Sequence, residues 1–490
     1  MTGPHSRSGG TRMGLAAIVT TIVFILNLLL SIALIFFERR NPSTTWAWLL
    51  IFMVIPIVGF IVYVLFGRNM SRQKIFEKKI MTDETKKRYL EYVRNSYHDL
   101  SSYEHRDLVM MNFKHSGAIY TPNNDVNLYT EGHEKFDALI EALEGAQRFI
   151  HIEYYIFRPD DIGKKLLHIL MSKAREGVEV KLLFDAMGSN PLNRKKHLRE
   201  SRKAGVECAA FFPGIMPYIN RRINFRNHRK IVVVDGEIGF VGGFNVGDEY
   251  LGKDRKIGYW RDTHLKIRGE AVYSLEERFL LDWSYANHSG IGDLVKYFPK
   301  QTRLEDSNKI GMQIVASGPD HKEQYIRNGY IKIINSAKKS LFLQSPYFVP
   351  DDTLFEALKI AALSGVDVRI MIPGKPDHKF MAWAANSYIL ELLDVNAKVY
   401  YYDKGFLHAK TIMADGAVCS IGTANMDIRS FKLNFEVNSF IYDSAFTQLL
   451  EDRFIEDMKH CREIRKETFV NRPLADKAME SLVRLISPIL

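Results

Sequence analysis

The chain has 490 residues, 46% of them apolar and 25% charged, with a formal net charge of +10. That is enough apolar material for two ordinary cores and a membrane segment. The basic balance suits an anionic partner, whether a bilayer surface, a phospholipid headgroup or nucleic acid, and does not choose among them. Three scattered cysteines, Cys208, Cys419 and Cys461, lack CxxC spacing and an even count. They argue against a disulfide framework or a zinc site, and for packing roles in a reducing compartment.

Residues 15–37 are apolar except for Thr20, Thr21, Asn27 and Ser31, and residues 46–66 form a second uncharged run containing Pro56 and Gly59. Each run meets the roughly 20 residues a helix needs to cross a hydrocarbon core. The polar stretch 38–45 allows a tight turn between them, and Trp46, Trp48 and Tyr63 lie where aromatic rings favour an interface. A two-span membrane module over 1–67 is the resulting expectation. A cleaved signal peptide competes for the first run, but its apolar stretch is too long and a second span follows at once. Arg7 and Arg12 precede the first span, and Arg68, Arg72, Lys74, Lys78 and Lys79 follow the second, against Arg39 and Arg40 between them. The bias predicts both ends inside and the bulk of the chain in the cytoplasm.

Residues 68–125 read as a basic helical connector. From 126 an α/β rhythm begins: helix 133–146, strand 149–156, helix 163–176 and a buried strand 178–184. It returns as helix 325–337, strand 341–348, helix 353–363 and strand 366–372. Wording repeats as well, since Arg158-Pro159-Asp160-Asp161 answers Val349-Pro350-Asp351-Asp352. An internal duplication follows, with a first half over 126–295, a second over 310–490 and a polar joint around 287–310.

The duplication is sharpest at the reactive residues. His228, Lys230, Asp235, Gly242 and Asn245 recur as His408, Lys410, Asp415, Gly422 and Asn425, at a constant offset of 180 residues. One such match is weak; two in register are not. On a strand, His and Lys two apart share a face. Asp235-Gly236 and Asp415-Gly416 read as turns, after which the next strand returns each Asn beside its His-Lys pair. Two imidazoles ringed by ammonium and amide donors suit displacement at a phosphodiester, which needs a nucleophile, an acid and fixed positive charge. A core histidine is the bland alternative, made unattractive by a lysine on the same face.

These paired motifs resemble those of the phospholipase D superfamily. The run 422–430 with Asn434-Phe435-Glu436 resembles its second-half signature. Trp260-Arg261-Asp262-Thr263-His264 resembles the bacterial cardiolipin synthase branch, as do Tyr63–Arg68 and the ending Arg484–Leu490. The resemblance implies two duplicated α/β/α sandwich halves sharing one active site, and phosphatidyl transfer without metal or cofactor. Phosphatidylglycerol and cardiolipin in the bilayer are the implied lipids, with no nucleic acid as partner; self-association is left open. His228 is the implied nucleophile and His408 the acid/base, with Lys230, Lys410, Asn245 and Asn425 on the phosphoryl oxygens. Asp235 and Asp415 belong to the motif, yet strand parity makes them structural supports. Glu436 is expected to orient His408, and Asp262 to orient His228 with Glu249 as the runner-up. Gly422-Thr423 departs from Gly242-Gly243 without consequence for activity.

Weaker signals are a basic run over 194–203, an apolar loop over 211–218 and an amphipathic last helix through Met479, Leu482, Val483 and Ile486. A solvated face, a packed loop and packing on the catalytic halves are their plain readings. The repeated Pro-Asp-Asp reads as helix N-capping. A nuclease, a hydrolytic phospholipase D and a non-catalytic membrane scaffold are the rival functions.

Overall fold

Strand order reveals the duplication more fully than the motifs do. In the first half the sheet runs Asn124–Tyr129, His264–Gly269, Ile238–Gly242, Ile231–Val234, Phe149–Tyr154, Glu179–Asp185, Glu207–Phe211. The second half repeats that order as Met312–Ser317, Asn434–Ile441, Val418–Gly422, Thr411–Ala414, Ser340–Gln344, Asp367–Pro373, Lys398–Tyr402. Tyr120–Thr121 and Cys461–Glu463 extend its two edges. The computed structural model describes residues 9–36, 42–59, 63, 104–193, 196–213, 224–288, 295–299 and 309–486. Outside them fall most of the predicted connector, the end of the second apolar run, most of the joint, and parts of the basic run and apolar loop.

Alternating and continuous apolar runs form the buried strands, and helices with one apolar stripe cover them. Asp161–Arg175 buries Ile162, Leu166, Leu167 and Leu170, and begins where Asp160 accepts from Gly163 N. Asp352–Leu363 begins in the same way, Asp351 accepting from Leu354 N, so the repeated Pro-Asp-Asp caps a helix in each half. The facing sides of the two sheets share one core, filled by Phe149, Leu265, Phe342 and Val437 together with the helices Ala271–Asn287 and Ser444–Met458. A mixed α/β fold of two phospholipase D-like units is therefore built as one body around that layer. Arg229 clamps it, bonding Asp282 of its own half at 2.6 Å and the main-chain oxygens of Glu436 and Ser317 from the other, both at 3.1 Å.

At the N-terminal end, Gly9–Phe36 is helical, and its Ala17–Phe36 portion has a mean hydropathy of 2.7. Among the described residues it is the one helix long and apolar enough to cross a membrane. The second run is not the continuous span expected over 46–66. It is helical over Pro42–Val54, bends at Ile55 and resumes for residues 56–59, because Pro56 lacks an N–H and disfavours helical backbone before it. The two runs still meet. Asn27 Nδ2 donates to Pro56 O at 2.9 Å, and Tyr63 packs edge-on against Trp48 and Phe52.

The last helix, Leu474–Ile486, packs on the rest of the second half through Val483, which joins that half's core, and through Arg484. Arg472 holds the buried Glu480 at 2.9 Å, Arg484 meets Glu391 at 2.6 Å, and Val483 is buried while Leu482 faces outward.

Candidate active site

Each His-Lys pair sits just before a strand, where the chain crosses toward the other half. The strands themselves begin at Ile231 and Thr411, one residue after each lysine. Ahead of the first pair, Arg226–Asn227 pairs in parallel with Asn434–Phe435. Ahead of the second, Gly405–Leu407 pairs in parallel with Tyr259–Arg261. The crossing continues through His228 N, which donates to Phe435 O at 2.9 Å, and His408 N, which donates to Arg261 O at 2.7 Å. In both places the accepting residue directly precedes a carboxylate.

The consequence is an exchange of partners. His228 Nδ1 lies 3.0 and 2.9 Å from the two carboxylate oxygens of Glu436. His408 Nδ1 lies 2.6 Å from Asp262 Oδ2. The expected pairing of Asp262 with His228 and of Glu436 with His408 is thus corrected: each half's imidazole is oriented by the other half's carboxylate. The runner-up Glu249 is engaged elsewhere, 3.0 Å from Arg158. Asp262 has room because residue 243 is glycine; a Cβ there would stand 1.9 Å from its Oδ1. At the corresponding place Thr423 instead uses its hydroxyl to accept from Val437 N at 2.9 Å. Gly243, where the second half has Thr423, leaves the space that Asp262 fills.

Both imidazoles and both lysines are buried. Burial, opposed by Glu436, pushes His228 down to about 4. Burial and Lys410, opposed by Asp262, push His408 down to about 3. Burial likewise lowers Lys230 to about 7 and Lys410 to about 8. At neutral pH the imidazoles are uncharged, with Nδ1 engaged by a carboxylate and Nε2 left for another partner. Burial alone would raise Asp262, but His408, Lys410 and its hydrogen bonds prevail and hold it below the usual range. The half-sites also act on each other: Lys410 lowers His228, and Lys230 lowers His408. One electrostatic field thus contains all four groups.

The lysines are fixed by their own histidines. Lys230 Nζ donates to His228 O at 2.7 Å, and Lys410 Nζ donates to His408 O. Asp235 and Asp415 close the strand turns at φ 55° and 56°, a left-handed conformation that Asp tolerates. Asp235 accepts from the backbone N–H of Gln147, Arg148 and Phe149 at 2.8, 2.7 and 2.8 Å. Asp415 does the same with Lys338, Lys339 and Ser340 at 2.8, 2.7 and 2.9 Å. Both side chains tie a turn to the start of a neighbouring strand. Asn245 is turned to local use, accepting from Ile156 N at 3.1 Å and donating to Tyr250 at 3.0 Å. The amide oxygen of Asn425 is buried and meets no donor among the described residues. No cluster of three His, Cys, Asp or Glu side chains suited to a metal occurs among them.

Two segments match the family model described as cardiolipin synthase, PLD-like domain: residues 139–283 and 330–458, one in each half. The chain belongs to the cardiolipin synthase family of phospholipase D-like proteins. A second model, phospholipase D-nuclease N-terminal, matches residues 25–68. A cardiolipin synthase of Clostridium perfringens is 55% identical over 457 residues, covering 92% of this chain and 95% of that protein. One from Listeria monocytogenes is 49% identical over 486 residues, covering 98% and 100%. Phosphatidylserine synthase of Haemophilus influenzae shares the fold at a TM-score of 0.57 and 15% identity, covering 78% of this chain and 99% of that one. Membership of this family, with the apolar helix Ala17–Phe36, makes the chain a membrane-associated phosphatidyltransferase of the phospholipase D type.

Proposed function

We propose that the chain is a cardiolipin synthase that moves a phosphatidyl group from one phosphatidylglycerol to another and releases glycerol. Nε2 of one histidine attacks the phosphorus, forming a P–N bond as the P–O bond to glycerol breaks. The other histidine, carrying a proton on Nε2 that the negative charge of the bound phosphodiester favours, gives that proton to the departing oxygen. That histidine then takes the proton from a hydroxyl of a second phosphatidylglycerol, whose oxygen displaces the histidine to give cardiolipin. Lys230 and Lys410 stabilise the charge on the non-bridging oxygens, with the Asn425 amide beside them and Asn245 supporting the wall. Glu436 and Asp262 fix the ring that each histidine presents.

One observation carries this reading: the crossed pairing of His228 with Glu436 and His408 with Asp262 sets two imidazoles and two lysines in one field. The two relatives, similar over nearly their whole length, are both named cardiolipin synthase. The membrane module is proposed to span the bilayer twice, with the catalytic halves on the cytoplasmic side and boundaries at 67, 125, 295 and 310. The experiment is mass spectrometry of lipids made from pure phosphatidylglycerol by the intact protein. Cardiolipin with equimolar glycerol is expected. Phosphatidic acid as the sole product would make it a hydrolase, and cleavage of labelled DNA without lipid turnover would make it a nuclease.

A further inference from the structure

Each crossing between the halves carries a buried arginine. Arg229 directly follows His228, and Arg261 directly precedes Asp262. Both come from the first half. At the matching places the second half has Ala409, at the offset of 180 from Arg229, and Phe435, directly before Glu436. Those two side chains are buried in the shared core, so the core accepts apolar groups at these positions.

The two arginines are anchored alike. Arg229 Nη1 donates to Asp282 Oδ2 at 2.6 Å, and Arg261 Nε donates to Asp457 Oδ1 at 2.9 Å. The aspartates are buried on corresponding helices, Ala271–Asn287 and Ser444–Met458. Each guanidinium then turns a further N–H onto the main-chain oxygen of a carboxylate residue. Arg229 Nε donates to Glu436 O at 3.1 Å, and Arg261 Nη1 donates to Asp262 O. Arg229 also holds Ser317 O at 3.1 Å, and Ser317 is the register partner of Glu436 on the next strand. Arg261 also donates to Thr263 Oγ1 at 3.2 Å, beside the Thr263 N–H that pins Asp262. Together with the histidine N–H bonds, two successive carbonyls are taken at each crossing: Phe435 and Glu436 at one, Arg261 and Asp262 at the other.

A buried ion pair adds little net stability, because desolvation of both charges offsets their attraction. What the planar fork supplies is geometry, since it fixes several acceptors at once. A carboxylate aims an imidazole only while its own backbone holds to within about 0.5 Å. We propose that Arg229 and Arg261 are positioning residues, one for each half-site: Arg229 sets Glu436 and through it His228, and Arg261 sets Asp262 and through it His408. The proposal rests on the first step of the phosphatidyl-transfer reading, with His228 as nucleophile and His408 as acid/base, as the family resemblance implies. The arginines then serve different parts of that step. Loss of Arg229 misdirects the ring that attacks phosphorus. Loss of Arg261 misdirects the ring that protonates the leaving oxygen.

The test compares two donors on the full-length protein in detergent micelles. Phosphatidylglycerol must lose glycerol, and phosphatidyl-p-nitrophenol loses nitrophenolate. With both, a P–N bond forms as a P–O bond breaks; nitrophenolate departs with its electron pair as a stable anion and needs no proton. R229K and R261K keep a charge facing Asp282 and Asp457 and lose the fork that reaches the carbonyl. R229K should lower kcat/KM by about tenfold or more with both donors. R261K should lower glycerol release by a similar factor and nitrophenolate release by less than about twofold. The two losses are compared within one variant, so a smaller folded fraction cancels. Equal losses with both donors in R261K, or a loss confined to glycerol release in R229K, overturns the assignment. Full activity of both variants on both donors overturns it as well. A wild type that releases glycerol without forming cardiolipin defeats the transfer reading alone, since both rates are read on the donor.

Discussion

The two half-sites reach the same contact by different means. Glu436 stands on a strand inside its sheet, Asn434–Ile441, and offers both oxygens to His228 Nδ1 at 3.0 and 2.9 Å. Asp262 sits between two strands, one methylene shorter, and meets His408 Nδ1 through one oxygen at 2.6 Å. It is pinned there by Thr263 N at 2.8 Å, against a glycine that leaves it space. What the halves hold in common is the exchange: neither can orient its own imidazole. Duplication supplied two copies of a motif, and the interface between copies turned them into one site.

The largest test of that equivalence is removal of either ring. H228A and H408A should each cut cardiolipin formation by about 10³-fold or more, since both imidazoles are needed in both steps; a loss confined to one of them would break the symmetry. Next come the carboxylates. E436Q and D262N should each cost about 10²-fold through a misdirected ring. By proton NMR, E436Q should disturb the His228 Nδ1 proton and leave that of His408 in place, the reverse of a within-half pairing.

The lysines sharpen the comparison through pH. One imidazole must be neutral to attack and the other protonated to give up its proton, so on the acid side kcat/KM should fall only as the attacking ring gains a proton, toward the values of about 4 and 3 to which burial pushes His228 and His408. On the alkaline side it should fall as Lys230 and Lys410 lose theirs, near the values of about 7 and 8. A profile still rising above pH 9 would contradict charged lysines at the phosphoryl group. Removing the motif aspartates acts on folding first: D235A and D415A each lose three charge-assisted bonds to backbone N–H, at a cost of about 2 kcal/mol or more. Thermal melts should show this with residual activity in the cold, unlike the histidine variants. The smallest effect belongs to the membrane module, where N27L removes one bond to Pro56 O, worth about 1 kcal/mol, read as weaker protection of that segment in detergent.

Much of this molecule was legible in one dimension. The constant offset marked the duplication, and strand parity made Asp235 and Asp415 supports before any coordinate did. The repeated Pro-Asp-Asp marked two helix starts. Pro56 was visible too, although reading the second apolar run as one span gave its backbone penalty too little weight.

Patterns of that kind are local: periodicity, turn chemistry and spacing constrain a residue through its near neighbours along the chain. Which carboxylate meets which histidine depends on Arg226–Asn227 crossing to Asn434–Phe435, and Gly405–Leu407 to Tyr259–Arg261, pairings more than 140 residues apart in sequence. The chain order alone therefore determined the groups proposed to do the chemistry. Only the tertiary structure decided their partners, because a hydrogen bond between distant segments is selected by how two sheets pack and not by any spacing written into either.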